Sequence, residues 1–192
     1  MKVNDFSKAQ GHWILAKMGK KVLRPGGKEM TRQLVSALQI AQTDDIVEFA
    51  PGLGYTASLA LQDHPHSYVG VDSDSDAIDQ LEKKIAGNNI RFINGNAANT
   101  TLEEGTKDKV FGEAMLTMHA DHRKLEIIRE AKRILKKGGL YAIHELGLND
   151  VNEDLKAQIQ KELALAIKVN AKPLTKGEWQ SLLENEGFKV KN

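Results

Sequence analysis

Ile46-Val47-Glu48-Phe49-Ala50-Pro51-Gly52-Leu53-Gly54-Tyr55, followed after a short segment by Tyr68-Val69-Gly70-Val71-Asp72, decides how this chain folds. An apolar run leads into a turn punctuated by Pro51, Gly52 and Gly54. Thr56-Ala57-Ser58-Leu59-Ala60 then opens a helix, and a second apolar run ends in Asp72. That order is one βαβ unit. Residues without a Cβ let backbone amides approach a ligand. A carboxylate at the next strand tip, about 18 residues beyond Gly54, can accept from both hydroxyls of a ribose. The unit therefore reads as a nucleoside cradle. A dinucleotide site would carry a third glycine in G-x-G-x-x-G, but Ala57 or Ser58 stands there, so an NAD-dependent oxidoreductase is the weaker alternative.

Composition narrows the class. With 192 residues and 41% hydrophobic content the chain is long enough for one well-buried domain, expected over residues 1–192, and short for two. Its 27 basic and 26 acidic residues leave a formal +1, so bulk charge gives no support for a nucleic-acid partner. The absence of cysteine excludes disulfides, thiolate metal sites and thiol nucleophiles. The N-terminus has no apolar signal-like core and no run of about 18 apolar residues occurs, so a cytoplasmic protein without stable membrane insertion is expected. His64-x-His66 and His119-x-x-His122 lack further ligands nearby, and no metal is expected.

Outward from the cradle, residues 1–27 are expected to form a basic helical cap with Trp13, Ile14, Leu15, Met18, Val22 and Leu23 interleaved, ending in Gly26-Gly27. A helix is expected from Lys28 to Ala41, with Met30, Leu34, Leu38 and Ala41 on one face. Another runs from Ser73 to Ala86 with Asp76 as its cap, and a third from Asp121 to Lys136 with Asp121 as its cap. Strands are expected at Ile90-Arg91-Phe92-Ile93, Lys109 to Leu116, and through Tyr141-Ala142-Ile143. Residues 149–170 read as a lid helix, with Leu155, Ile159, Leu163 and Ile167 on one stripe. Thr175-x-x-Glu178 is a capping box for a last helix, and Gly187-Phe188-Lys189-Val190 starts a further strand. The fold class is α/β, Rossmann-like and doubly wound: a mostly parallel sheet of six or fewer core strands with helices on both faces.

Glu48-Phe49-Ala50-Pro51-Gly52-Leu53-Gly54 resembles the first motif of class I S-adenosylmethionine-dependent methyltransferases, an acid followed by x-G-x-G-x-G, with Ala50 at the first glycine. Alanine is poor at positive φ, so ordinary dihedrals are expected there. Arg133-Ile134-Leu135-Lys136-Lys137-Gly138-Gly139 resembles the family's R-x-L-K-P-G-G turn, with Lys137 for proline. Gly138-Gly139 is expected to end the preceding helix. Gly95-Asn96-Ala97 stands where the family has G-D-A. The resemblance implies S-adenosylmethionine as cofactor and S-adenosylhomocysteine as product. Glu48 would belong to the cofactor site, with the backbone of Ala50, Pro51, Gly52 and Gly54 near the methionine moiety, Asp72 on the ribose, Ser73 at the adenine edge, Asn96 and Ala97 at the base, and Glu113 near the methyl group. His119 and His144 are candidate bases, with Glu113 and Glu145 as orienters. Nucleic-acid amino-methyltransferases of the class tend to carry N/D-P-P-Y/F after the fourth strand. Glu113-Ala114-Met115-Leu116 does not, which points to a small-molecule acceptor. A non-catalytic cofactor-binding subunit and a homodimer are the remaining alternatives.

Overall fold

The computed structural model describes residues 26–85, 87–167, 169 and 171–191. The expected cap therefore lies outside the described residues except for Gly26 and Gly27, as does the end of the expected lid. Five strands, β1 (Asp45–Phe49), β2 (Ser67–Asp72), β3 (Ile90–Asn94), β4 (Lys107–Glu113) and β5 (Leu135–His144), form one sheet in the order β3-β2-β1-β4-β5. All four pairings are parallel. Every strand tip that follows the apolar runs therefore lies at one edge of the sheet, and strand order reverses beside β1.

Helices cover both faces, which is why the central strands are nearly continuously apolar. Ile46, Tyr68, Phe92 and Phe111 pack on one face. Against them lie α1 (Gly27–Leu38), α2 (Tyr55–Ala60) and α3 (Ser75–Lys84), through Leu34, Val35, Leu38, Ala57, Ala60, Ile78 and Leu81. On the opposite face Val47, Phe49, Val69, Val71 and Val110 meet α4 (Asp121–Ile134) through Ile127, Ile128, Ala131 and Ile134. Trp179 joins them from α6 (Lys176–Asn185), beyond α5 (Glu153–Ile167).

Several local expectations are corrected. The first helix stops at Leu38, with Gln39 at φ 48, and its buried face is Thr31, Leu34, Val35 and Leu38 while Met30 is exposed. The cap of α3 is Asp74, whose carboxylate accepts from the Asp76 and Ala77 amides. In the run Ser73-Asp74-Ser75-Asp76 several residues were chemically eligible, and backbone geometry chose. Asp121 is the first residue of α4 and pairs with Lys124 rather than capping. That helix ends at Ile134, and Gly138 (φ +86) instead makes an irregularity inside β5, where the register with β4 shifts between Lys107 and Lys109. A Cβ on Gly139 would come within 3.0 Å of the Asp108 carbonyl oxygen.

Gly187-Phe188-Lys189-Val190 is not a strand. Phe188 packs on Tyr141 of β5, with ring centroids 5.5 Å apart. The additional pairing is a short parallel ladder between β6 (Gly147–Leu148) and β7 (Leu174–Thr175). The capping box at Thr175 and Glu178 is present. Between β6 and β7, α5 carries no buried residue among those described. Leu155 is exposed, Ile159 and Leu163 are half-buried, and Lys156 pairs with Glu178 at the start of α6.

Candidate active site

At the tip of β1 the chain turns sharply. Ala50 adopts φ +54, Gly52 φ +53 and Gly54 φ +76, while the Ala50 amide donates to the Val71 carbonyl (2.8 Å) and the Gly54 amide to the Pro51 carbonyl (2.9 Å). The dihedral expectation for Ala50 is thus overturned, because the bend needs left-handed backbone at its first position as well. The two glycines differ in role. A Cβ on Gly54 would lie 2.4 Å from Leu81 of α3, whereas one on Gly52 would meet nothing nearer than 4.0 Å among the described residues. Gly54 is fixed by packing, and Gly52 is not.

Asp72 stands on the adjacent strand, one residue beyond the Phe49–Val71 pair. Its Oδ2 accepts from the Gly52 amide (3.1 Å) and its Oδ1 from the Asp74 amide (3.0 Å), and the residue is 9% exposed. Acid and bend are therefore joined directly, and each carboxylate oxygen keeps a lone pair for a ligand. Beneath them the buried Glu48 accepts from the Tyr68 hydroxyl (2.6 Å). Burial, then the Glu48 charge, raises that phenol well above its ordinary range. Pro51 is buried against the bend and Ser73 is exposed at the tip of β2. At the tip of β3, Asn96 is exposed and Ala97 half-buried. The Asn96 side-chain oxygen already accepts from Arg123 (2.7 Å) and from the Ala98 amide (2.9 Å).

On the other side of β1, Glu113 and His144 are register partners on β4 and β5. His144 Nδ1 lies 2.9 Å from Glu113 Oε1, and the Thr56 hydroxyl of α2 donates to Glu113 Oε2 (2.6 Å). Thr56 was missed in the sequence; its position two residues after Gly54, in the first turn of the helix beside β1, was the available signal. Glu145 is turned away from this group. Its carboxylate accepts from the Met115, Leu116 and Thr117 amides and the Thr117 hydroxyl, holding the turn Leu116–Met118. Burial pushes its carboxyl above the ordinary range against the pull of those donors. His119 follows that turn, half-buried, and is not brought into the Glu113–His144 pair. Burial, then the Arg123 and Lys124 charges, lowers its pKa. Among the described residues no group of three His, Asp or Glu is placed to hold a metal, and no helix is long and apolar enough to cross a membrane.

Residues 46–139 match a family described as a methyltransferase domain. An uncharacterized protein of Haemophilus influenzae is 36% identical over 184 residues, covering 93% of this chain and 72% of its own length. The ribosomal RNA small subunit methyltransferase A of Hydrogenobaculum sp. is 27% identical over 109 residues, which is 57% of this chain and 42% of that protein. Among solved structures, a putative methyltransferase from Bacillus halodurans aligns with a TM-score of 0.76 at 17% identity, over 84% of this chain and 70% of the other.

Proposed function

Because the chain belongs to the class I S-adenosylmethionine-dependent methyltransferases, we propose that it transfers the methyl group of S-adenosylmethionine to a small-molecule acceptor, releasing S-adenosylhomocysteine. The observation that carries this reading is the Asp72 carboxylate bonded to the Gly52 amide, at a bend where no described residue lies nearer than 4.0 Å to a Cβ built on Gly52. A ribose held by Asp72 would lay its methionine end along the Ala50 to Gly54 backbone and its adenine past Ser73 toward Asn96 and Ala97. Glu48 and Pro51 support the bend from below, and Glu113 lies across β1 on the methyl side. The bound co-substrate supplies a methyl group already activated by its sulfonium. The protein must align the acceptor, exclude water and, where the acceptor carries a proton, remove it.

A small-molecule acceptor is favoured over nucleic acid by Glu113-Ala114-Met115-Leu116, which has neither proline nor aromatic residue, and by the formal charge of +1. The chain spans under half of the ribosomal RNA methyltransferase it resembles. We assign α5 the role of lid on the acceptor side; after it, the Lys172 amide is bonded to the Thr117 carbonyl (2.8 Å) beside the exit of β4. We place the protein in the cytoplasm. A homodimer would form along the outer edge of β5, the end strand of the sheet.

Calorimetry with S-adenosylhomocysteine tests the cofactor: Asp72→Ala should weaken binding at least about tenfold, roughly 1.4 kcal/mol. Unchanged affinity would remove Asp72 from the site. Transfer of labelled methyl from S-adenosylmethionine into a metabolite extract, with ribosomal RNA assayed in parallel, tests the acceptor. Label appearing in RNA alone would overturn the small-molecule reading.

A further inference from the structure

Thr56, Glu113 and His144 come from three different elements and meet beside Gly26, the residue that precedes α1. A Cβ built on Gly26 would lie 3.7 Å from His144 Cε1. Thr56 is fully buried, the Glu113 side chain is 1% exposed and the His144 side chain 12%. Both Glu113 oxygens lie against groups able to donate, the pattern of an ionised carboxylate. A carboxylate facing Nδ1 requires the ring proton there, which leaves the lone pair on Nε2. Among the described residues the charged group on the ring is Glu113. From α2 the group offers the Thr56 hydroxyl, Gly26 stands beside the ring, and Glu145, which follows β5, is bonded to the Met115–Thr117 amides.

Resting on the methyl-transfer reading above, we propose that these three residues form a proton relay and that the acceptor is a weakly acidic hydroxyl, a phenol or an enol, methylated on oxygen. An alkylamine arrives as its ammonium, which a carboxylate rather than a neutral imidazole would receive, and both Glu113 oxygens are already engaged by Thr56 and His144. An aliphatic alcohol is far too weak an acid for imidazole. A phenol is acidic enough to pass its proton to an imidazole when the transfer accompanies attack. His144 Nε2 takes the hydroxyl proton as the oxygen bonds to the methyl carbon. The carbon–sulfur bond breaks with its electron pair left on sulfur, and the imidazolium is held by Glu113 until solvent removes the proton. His144 is the catalytic residue; Glu113 and Thr56 position it.

The test uses the full chain with S-adenosylmethionine and phenols graded in acidity from catechol to 4-nitrophenol, with benzylamine alongside. Wild type should yield O-methyl products. His144→Gln should lose about 10²-fold or more on the weakest acid, with the loss shrinking toward 4-nitrophenol, whose proton is already gone at neutral pH. Thr56→Val should lower the rate severalfold and displace the acidic limb of the pH–rate profile, and Thr56→Ser should restore both. Nitrogen-15 NMR of the histidines should find one ring fixed as the Nδ1–H tautomer, released in Glu113→Gln. Methylation of benzylamine alone, an equal loss across the phenol series, or an Nε2–H tautomer overturns the relay. Calorimetry on the same samples separates the failures. Binding of S-adenosylhomocysteine without phenol methylation overturns the relay only; no binding by wild type overturns the cofactor reading and the relay with it.

Discussion

Ala50 sits in left-handed backbone at φ +54, a conformation that costs an L-residue about 1 kcal/mol or more and glycine almost nothing. Ala50→Gly should therefore stabilise the fold despite glycine's looser unfolded chain, by about 0.5 kcal/mol, seen as a melting midpoint roughly 1–2 °C higher. A lower midpoint would mean that the left-handed turn carries no strain. Asn96 makes a second case. Its one side-chain oxygen is occupied by Arg123 and the Ala98 amide, so it has little left to accept from an adenine amine. Asn96→Asp adds an acceptor without disturbing those two donors, and under the proposed cofactor placement should tighten S-adenosylhomocysteine binding about fivefold, roughly 1 kcal/mol, by calorimetry. Weaker binding would place the base elsewhere. Asp72 and the glycine bend were legible because strand ends and turn residues declare themselves locally. Thr56 and the turning-away of Glu145 were not, since they depend on side chains 57 and roughly 30 residues apart in sequence meeting across the sheet.

Elements were easier to find than to delimit. Apolar period and length located the five strands of the main sheet and most helices, but their ends depended on choices the sequence left open. Asp76 reads as the cap of its helix, and Asp74 fills that place. Gly138-Gly139 looked like a helix terminus and proved to lie inside β5, because the β4 pairing at Lys107–Leu135 starts before it. One helix is secured by chemistry that a propensity reading does not contain. Glu130 of α4, 6% exposed, accepts from the Thr100 amide (2.8 Å) and hydroxyl (2.5 Å) and from Arg133, tying α4 to the loop that leads into β4. Arg133, first, and then the Thr100 donors hold its pKa down to about 2 against the opposing effect of burial. A folded pKa below the unfolded one stabilises at pH values above the unfolded pKa, and that contribution is lost as pH falls through the folded value. Glu130→Gln should cost about 2 kcal/mol at pH 7, and the melting midpoints of the two proteins should converge as pH drops from about 5 toward 2. Parallel curves would assign the stabilisation to other carboxylates.

For the molecule as a whole, the sheet divides the interior into two apolar layers that share the same five strands. Leu38 of α1 lies in one and Ile128 of α4 in the other, both essentially inaccessible to solvent. The bend joins the layers at the site: Phe49, just before it, belongs to the layer that holds Ile128, while Ala57 and Ala60, just after it, belong to the layer that holds Leu38. A ligand that bridges Gly52 and Asp72 binds where both layers must be intact. Leu38→Ala and Ile128→Ala should each cost about 2–4 kcal/mol, the range for a buried aliphatic side chain replaced by a partly collapsed void. Because the strands are common to both, each variant should melt in one transition whose calorimetric and van't Hoff enthalpies agree. Under the cofactor placement proposed above, S-adenosylhomocysteine at a hundred times its dissociation constant should add the same increment to both variants, about 2.7 kcal/mol. Two transitions in either variant, or ligand protection confined to one of them, would mean that the layers fold separately and that the site belongs to one alone.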